Sequence, residues 1–189
     1  LFSEMIAIWI LDFWEKLEKP KKFNIVELGP GDGQLSAVLL KTFKKFPEFL
    51  KCTNIYLYKK SKKLKNLQKN NIQSNQVFWL SNLNKIRKGP TIFFGNEFFD
   101  AIPIKQYIKK NGTIYEKFFQ LQSDLTVKTI FVENSNKDNK IIESYKKLDN
   151  RKIFEFPKMG FEQLKKIIKI VKKSSGGILL IDYGYFKQL

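Results

Sequence analysis

The stretch Asn24-Ile25-Val26-Glu27-Leu28-Gly29-Pro30-Gly31-Asp32-Gly33-Gln34-Leu35 restricts the possible folds more than any other part of the chain. A short apolar run, residues 25–28, ends in three glycines at alternate positions. Helical spacing begins near Gln34 and puts Leu35, Val38, Leu39, Thr42 and Phe43 on one face. The pattern reads strand, glycine-rich turn, helix. Glycine accepts positive φ and lets a ligand approach the backbone closely. The helix start aims free N–H groups and the positive end of its dipole at the turn. An acid at the strand end, Glu27, suits a ligand that carries hydroxyls or an ammonium group.

Several turns share this outline. The dinucleotide fingerprint G-x-G-x-x-G needs its third glycine one residue later than Gly33. The phosphate-binding P-loop needs a Gly-Lys-Ser/Thr ending, which is absent. An ordinary tight strand–helix turn stands as the bland alternative. The spacing E-x-G-x-G-x-G resembles the first motif of class I S-adenosylmethionine-dependent methyltransferases. In that class the turn cradles the methionine part of the cofactor.

Composition limits the chemistry. With 189 residues, 43% of them hydrophobic, the chain is long enough for one domain with a core. There is no histidine, so acid–base work falls to Asp, Glu, Tyr or Lys. Cys52 is alone and makes neither an internal disulfide nor a zinc site. The net charge of +17 invites a nucleic-acid reading. However, the cations are almost all lysine, and Arg87 and Arg151 are the only arginines. Arginine is the residue of bidentate readout, so solvated lysine faces are the better account. No apolar run reaches the roughly 18 residues of a membrane span. The apolar opening, residues 1–17, is broken by Ser3, Glu4, Asp12, Glu15 and Lys16 and does not read as a signal peptide. The chain begins at Leu1, and a fragment is expected.

Along the chain, Phe2, Met5, Ile6, Trp9, Phe13, Trp14 and Leu17 recur at helical steps and predict a buried first helix. Pro47 marks a break after the glycine-loop helix. Residues 55–58 and 76–79 read as strands, with a lysine-rich helix over 61–70 whose Leu64 and Leu67 face inward. Residues 91–95 are apolar throughout, as a central parallel strand would be. Strands alternating with helices predict an α/β, doubly wound, mostly parallel sheet. Ligands then lie beyond the carboxyl ends of the strands. That places Glu27 to Gly33, Lys59, Trp79 to Ser81 and Asn96 to Asp100 on one rim.

From Ile104 the period changes. Residues 104–108 and 114–118 flank Asn111-Gly112, a type I′ hairpin signal. Residues 125–132 alternate as a further strand, and 133–150 are polar. This block reads as an insertion beside the sheet. Residues 161–171 form a helix stripe, residues 178–181 a buried strand, and Asp182-Tyr183-Gly184-Tyr185 follows. One domain is expected: a cofactor-binding core over 1–103, an insertion over 104–156, and a return to the sheet over 157–189.

Four segments make the resemblance specific. Gly95-Asn96-Glu97-Phe98-Phe99-Asp100-Ala101-Ile102-Pro103-Ile104-Lys105-Gln106 closely resembles the N-E-F-F-D-A-L-P-V-x-Q segment of the MidA-like family. These are S-adenosylmethionine-dependent protein arginine methyltransferases that include the mitochondrial complex I assembly factor. Phe2 to Ala7 resembles that family's F-G-E-L-I-A, Val26 to Gly33 its V-E-L-G-P-G-x-G, and Gly176 to Tyr185 its G-G-x-L-x-I-D-Y-G-Y. The resemblance implies a class I methyltransferase (Rossmann-like) fold, truncated at both ends, with S-adenosylmethionine as cofactor. It implies cofactor binding at Glu27, Gly29, Gly31, Asp32, Gly33, Lys59 and Trp79, and a substrate-facing set of Asn96, Glu97 and Asp100. The implied partner is a protein, a complex I subunit, with no specific nucleic acid, no membrane insertion and no metal. The setting is the bacterial cytoplasm, or the mitochondrial matrix if organellar.

Two departures stand against it. The family's E-x-S, whose acid is expected to bind the ribose, aligns with Lys59-Lys60-Ser61, and lysine offers no acceptor. Family segments before the first helix and after the last strand are missing, which would leave an open sheet edge at residues 178–181. The chain reads first as an arginine methyltransferase. Second comes an assembly or binding protein that keeps the fold with weak or lost catalysis. A nucleic-acid methyltransferase or binding module, argued from charge alone, ranks last.

Overall fold

The computed structural model describes residues 1–58, 64–134, 138–144 and 153–184. The chain divides into two compact units, Leu1–Ala101 with Leu164–Leu189, and Ile102–Gln163.

The first unit carries a five-stranded, wholly parallel sheet built from β1 (Phe23–Leu28), β2 (Thr53–Tyr58), β3 (Val77–Leu80), β4 (Thr91–Asn96) and the last strand of the chain, Gly177–Ile181. That last strand is β9 in chain order. The order across the sheet is β3-β2-β1-β4-β9. β1 lies in the middle, and the strand order reverses between it and β4, which is where doubly wound sheets bind ligands. All six β1 residues are buried, as a parallel strand covered on both faces requires.

Alternate side chains serve two cores. Ile25, Ile55, Leu57, Ile92 and Phe94 pack with Ile6, Ile10 and Trp14 of α1 (Phe2–Lys16), with Leu39 and Phe43 of α2 (Gln34–Phe43), and with Phe49 of α3 (Pro47–Cys52). Val26, Leu28, Tyr56, Tyr58 and Phe93 pack on the opposite face with Leu83 and with Ile167 of α6 (Lys158–Ser174). Pro47, expected only as a break, starts α3, where its fixed φ and missing N–H cost nothing.

Two faces differ from the expected ones. On α1 the buried residues are Ile6, Ala7, Ile10, Leu11 and Trp14, whereas Phe2 and Met5 are exposed. The apolar stripe is wide enough to allow either face, and the sheet selects one. On α4 (Lys65–Asn71), Leu64 and Leu67 are exposed, and Gln68 and Ile72 turn inward in their place. A polar residue takes the inner position because it has partners there.

The second unit is an antiparallel sheet of β5 (Lys105–Lys110), β6 (Thr113–Leu121), β7 (Val127–Glu133) and β8 (Phe154–Phe156), in the order β7-β6-β5-β8. Asn111 and Gly112 have positive φ, and Lys110 pairs with Thr113, which is the expected two-residue hairpin. Tyr107, Ile114, Phe154 and Phe156 form its core together with Ile142 of α5 (Asp138–Ser144).

Candidate functional site

The glycine turn leaves β1 at its carboxyl end. Gly29, Gly31 and Gly33 all have positive φ (+65°, +50° and +89°), which explains three glycines at alternate positions. Gly29 N–H donates to the Tyr58 carbonyl (3.1 Å), and Gly33 N–H donates to that of Pro30 (2.8 Å). The Asp32 carboxylate accepts the Gln34 N–H (3.1 Å) at the start of α2. The three glycines face different surroundings. A Cβ on Gly29 would lie 2.9 Å from the Phe98 ring, and one on Gly33 would lie 2.8 Å from Ile72 Cδ1. A Cβ on Gly31 would meet nothing within 4 Å. Gly29 and Gly33 are therefore packing glycines, and Gly31 is the open face of the turn.

Glu27 is buried directly behind the turn, and the Ser36 hydroxyl of α2 donates to its carboxylate. Burial pushes its pKa from the usual 4.5 up to about 7. The Ser36 hydrogen bond opposes that rise, and the negative charge of Asp32 adds to it.

β4 delivers the second group of residues. Asn96 is the last residue of β4 and pairs with Ile181 of β9. Glu97 adopts a left-handed backbone (φ +51°), and its N–H donates to the Ile181 carbonyl (2.8 Å). The β9 pairing thus fixes the backbone at Glu97. Glu97 and Asp100 are exposed, and Phe98 between them rests on Gly29, tying this segment to the glycine turn. Tyr183 lies two residues past β9, within the electrostatic reach of Asp100. The Asp100 carboxylate, with Asp182 and Glu97, holds the Tyr183 hydroxyl above its ordinary pKa.

The structure therefore brings Glu27, Gly29, Gly31, Asp32 and Gly33 together with Asn96, Glu97 and Asp100 at the ends of β1 and β4. Trp79, on β3, is half-buried, and its indole N–H donates to Gln68 Oε1 (2.9 Å). Lys59 lies outside the described residues. Four residues around the site were not expected from the sequence. Ser36 donates to Glu27, and Tyr183 lies in the field of Asp100, as described. Gln68 Nε2 donates to the Gly31 carbonyl (2.6 Å), and Asn71 Nδ2 donates to that of Asp32 (3.0 Å). No local sequence signal marks Gln68, because the spacing of Leu64 and Leu67 points to a different inward face.

The arrangement suits a cofactor of the S-adenosylmethionine type. An open backbone face at Gly31, N–H groups at the head of α2 and an acid at the strand end are the donors and acceptor that its amino-acid portion needs. Such a parallel sheet with its site at the β1–β4 reversal is the class I methyltransferase type of α/β protein. Residues 5–189 match the family described as "Putative S-adenosyl-L-methionine-dependent methyltransferase", and the chain belongs to that family.

Among its relatives is "Protein arginine methyltransferase NDUFAF7, mitochondrial" of Xenopus laevis, 27% identical over all of this chain and 48% of that protein. The Homo sapiens protein of the same name is 24% identical over 98% of this chain and 47% of its own length. The chain thus spans about half the length of the curated relatives it matches. A crystal structure of a Burkholderia thailandensis protein bound to S-adenosyl-homocysteine superposes with a TM-score of 0.78 at 16% identity, over 97% of this chain and 47% of that one. It shares the fold.

Proposed function

We propose that this chain is the cofactor-binding part of an S-adenosylmethionine-dependent protein arginine methyltransferase. The observation that carries the reading is the contact of Phe98 with Gly29. It sets an exposed carboxylate pair, Glu97 and Asp100, against a glycine turn with an open face, in a chain of net charge +17. On so cationic a protein, a local acidic rim selects for a cationic acceptor.

The cofactor supplies an electrophilic methyl group on a sulfonium. The residues of the chain do the rest. The turn and the N–H groups of α2 bind the amino-acid portion of the cofactor, with Glu27 facing its ammonium. Glu97 and Asp100 accept the guanidinium N–H groups in charge-assisted hydrogen bonds and fix which nitrogen faces the methyl. A carboxylate takes the proton that the nitrogen loses on methylation. Methyl transfer needs mostly such positioning.

The names of the curated relatives support a protein arginine as acceptor and a mitochondrial setting for their kind. The resemblance to the MidA-like family supports a subunit of respiratory complex I as partner, in the mitochondrial matrix or the bacterial cytoplasm. Lys59, at the position expected to bind the ribose, favours a second reading: an assembly protein of this fold with weak catalysis.

The test is transfer of labelled methyl from S-adenosylmethionine to an arginine-containing subunit of the complex. Asp100→Asn and Glu97→Gln are expected to lower the rate by about tenfold or more each, as loss of a charge-assisted hydrogen bond does. Binding of the subunit without transfer, unaltered by either substitution, would favour the second reading.

A further inference from the structure

We propose that α4 is a clamp for the glycine turn, with Gln68 as its positioning residue and Trp79 as the group that orients Gln68. The proposal rests on the cofactor reading above and assigns a role to a helix that carries none of the family's glycine or acid motifs.

Every carbonyl from Pro30 to Gly33 is held by a donor of the protein. Pro30 takes the Gly33 N–H, and Gly33 takes the Ala37 N–H (3.0 Å). The other two are held from α4. Gly31 accepts from Gln68 Nε2 at 2.6 Å and Asp32 from Asn71 Nδ2 at 3.0 Å. Among the described residues, no acceptor takes the N–H of Gly31 or of Asp32. A peptide unit whose carbonyl is fixed from one side presents its N–H on the other. The Gly31 carbonyl shares its peptide unit with the Asp32 N–H, so Gln68 decides which way that free donor faces, and Asn71 braces the next unit of the turn, whose Gly33 N–H bonds Pro30.

Gln68 is built for this. It is fully buried, and both ends of its amide are engaged. Trp79 donates to Oε1, which fixes Nε2 as the end aimed at Gly31. The Gln68 side chain also packs on Gly33, with Cγ 3.2 Å from where a Cβ would stand. A buried amide with both ends satisfied specifies one arrangement, and a half-satisfied one does not.

A pH-dependent variant separates this role from plain packing. In Gln68→Glu the carboxylate can accept from Trp79 but cannot donate to Gly31, and two oxygens then oppose each other. Once protonated, the same side chain donates to Gly31 and accepts from the indole, restoring the pattern. A buried carboxyl protonates well above its ordinary pKa, so the restoration falls within reach of mild acid.

The test is calorimetric titration of the 189-residue chain with S-adenosylhomocysteine at two pH values. It compares the unaltered protein, Gln68→Glu and Asn71→Ala, with melting temperatures taken alongside. Asn71 is exposed, so its substitution leaves the fold intact. The expected results are affinity about three- to tenfold weaker for Asn71→Ala at an unchanged melting temperature, and at least about tenfold weaker for Gln68→Glu at pH ~8, the scale of one lost hydrogen bond. The Gln68→Glu deficit, taken as a ratio to the unaltered protein, shrinks at pH ~5.5. If Gln68→Glu does not fold, Asn71→Ala decides alone. Binding by the unaltered chain with unchanged affinity in Asn71→Ala and a pH-independent ratio in Gln68→Glu overturns the clamp and leaves the cofactor reading standing. No binding by the unaltered chain removes the cofactor reading and the clamp with it.

Discussion

Replacing Glu27 by glutamine isolates the cost of keeping an acid behind the glycine turn. In the folded chain this carboxyl titrates at about 7, chiefly because it is buried, whereas an exposed carboxyl titrates near 4.5. Each pKa unit is worth about 1.4 kcal/mol, so the difference between the two values corresponds to about 3 kcal/mol. The sign follows from proton counting. Between the two pKa values the folded protein holds a proton that the unfolded chain has already released, so stability falls as pH rises through that interval. Below pH ~4.5 the group contributes nothing, and above pH ~7 the full cost is present. Other groups also titrate, so the informative quantity is the difference between the unaltered protein and Glu27→Gln. Urea unfolding across pH 4.5 to 8 measures it. The variant is expected to gain about 3 kcal/mol on the unaltered protein over that range, less what relaxation and water entry absorb. Two stability profiles that stay parallel from pH 4.5 to 8 would refute the reasoning. The carboxyl would then be ionised in the fold at no cost, with the Ser36 hydrogen bond outweighing burial.

The same group links pH to ligand affinity: S-adenosylhomocysteine, which carries an ammonium, is expected to bind more tightly as pH rises through 7, and Glu27→Gln to flatten that dependence in a calorimetric series. The two inner glycines should separate stability from binding. Gly33→Ala, at φ +89° and against Ile72, is expected to lower stability by about 1–3 kcal/mol in thermal unfolding. Gly31→Ala, with open space around it, should cost about 1 kcal/mol of backbone strain yet weaken the cofactor far more.

The parallel sheet was legible because its signals are local. An apolar strand, three glycines and an amphipathic stripe leave few alternatives around residues 25–43, and Asn111-Gly112 specifies its own hairpin. The families of contact that cross the chain were not legible. Nothing near Gln68 in sequence says that its amide reaches back to Gly31, 37 residues away. Leu64 and Leu67 were the obvious inward residues of α4, and the sequence periodicity chose them. The structure buries Gln68 instead because two polar partners converge there. For the same reason Phe2 and Met5 read as core on a helix whose apolar stripe is wider than the surface it covers. The rim acids were found through motif resemblance, but the approach of Tyr183 to Asp100 needed β9 to be placed beside β4.

The central claim is that the glycine turn binds a cofactor of the S-adenosylmethionine type through its open face at Gly31. Calorimetric titration of the unaltered chain and of Gly31→Val with S-adenosylhomocysteine tests it most directly. The account predicts one-to-one micromolar binding by the unaltered chain and its loss in a Gly31→Val variant that remains folded. No binding by the unaltered chain, or equal binding by both, would contradict it.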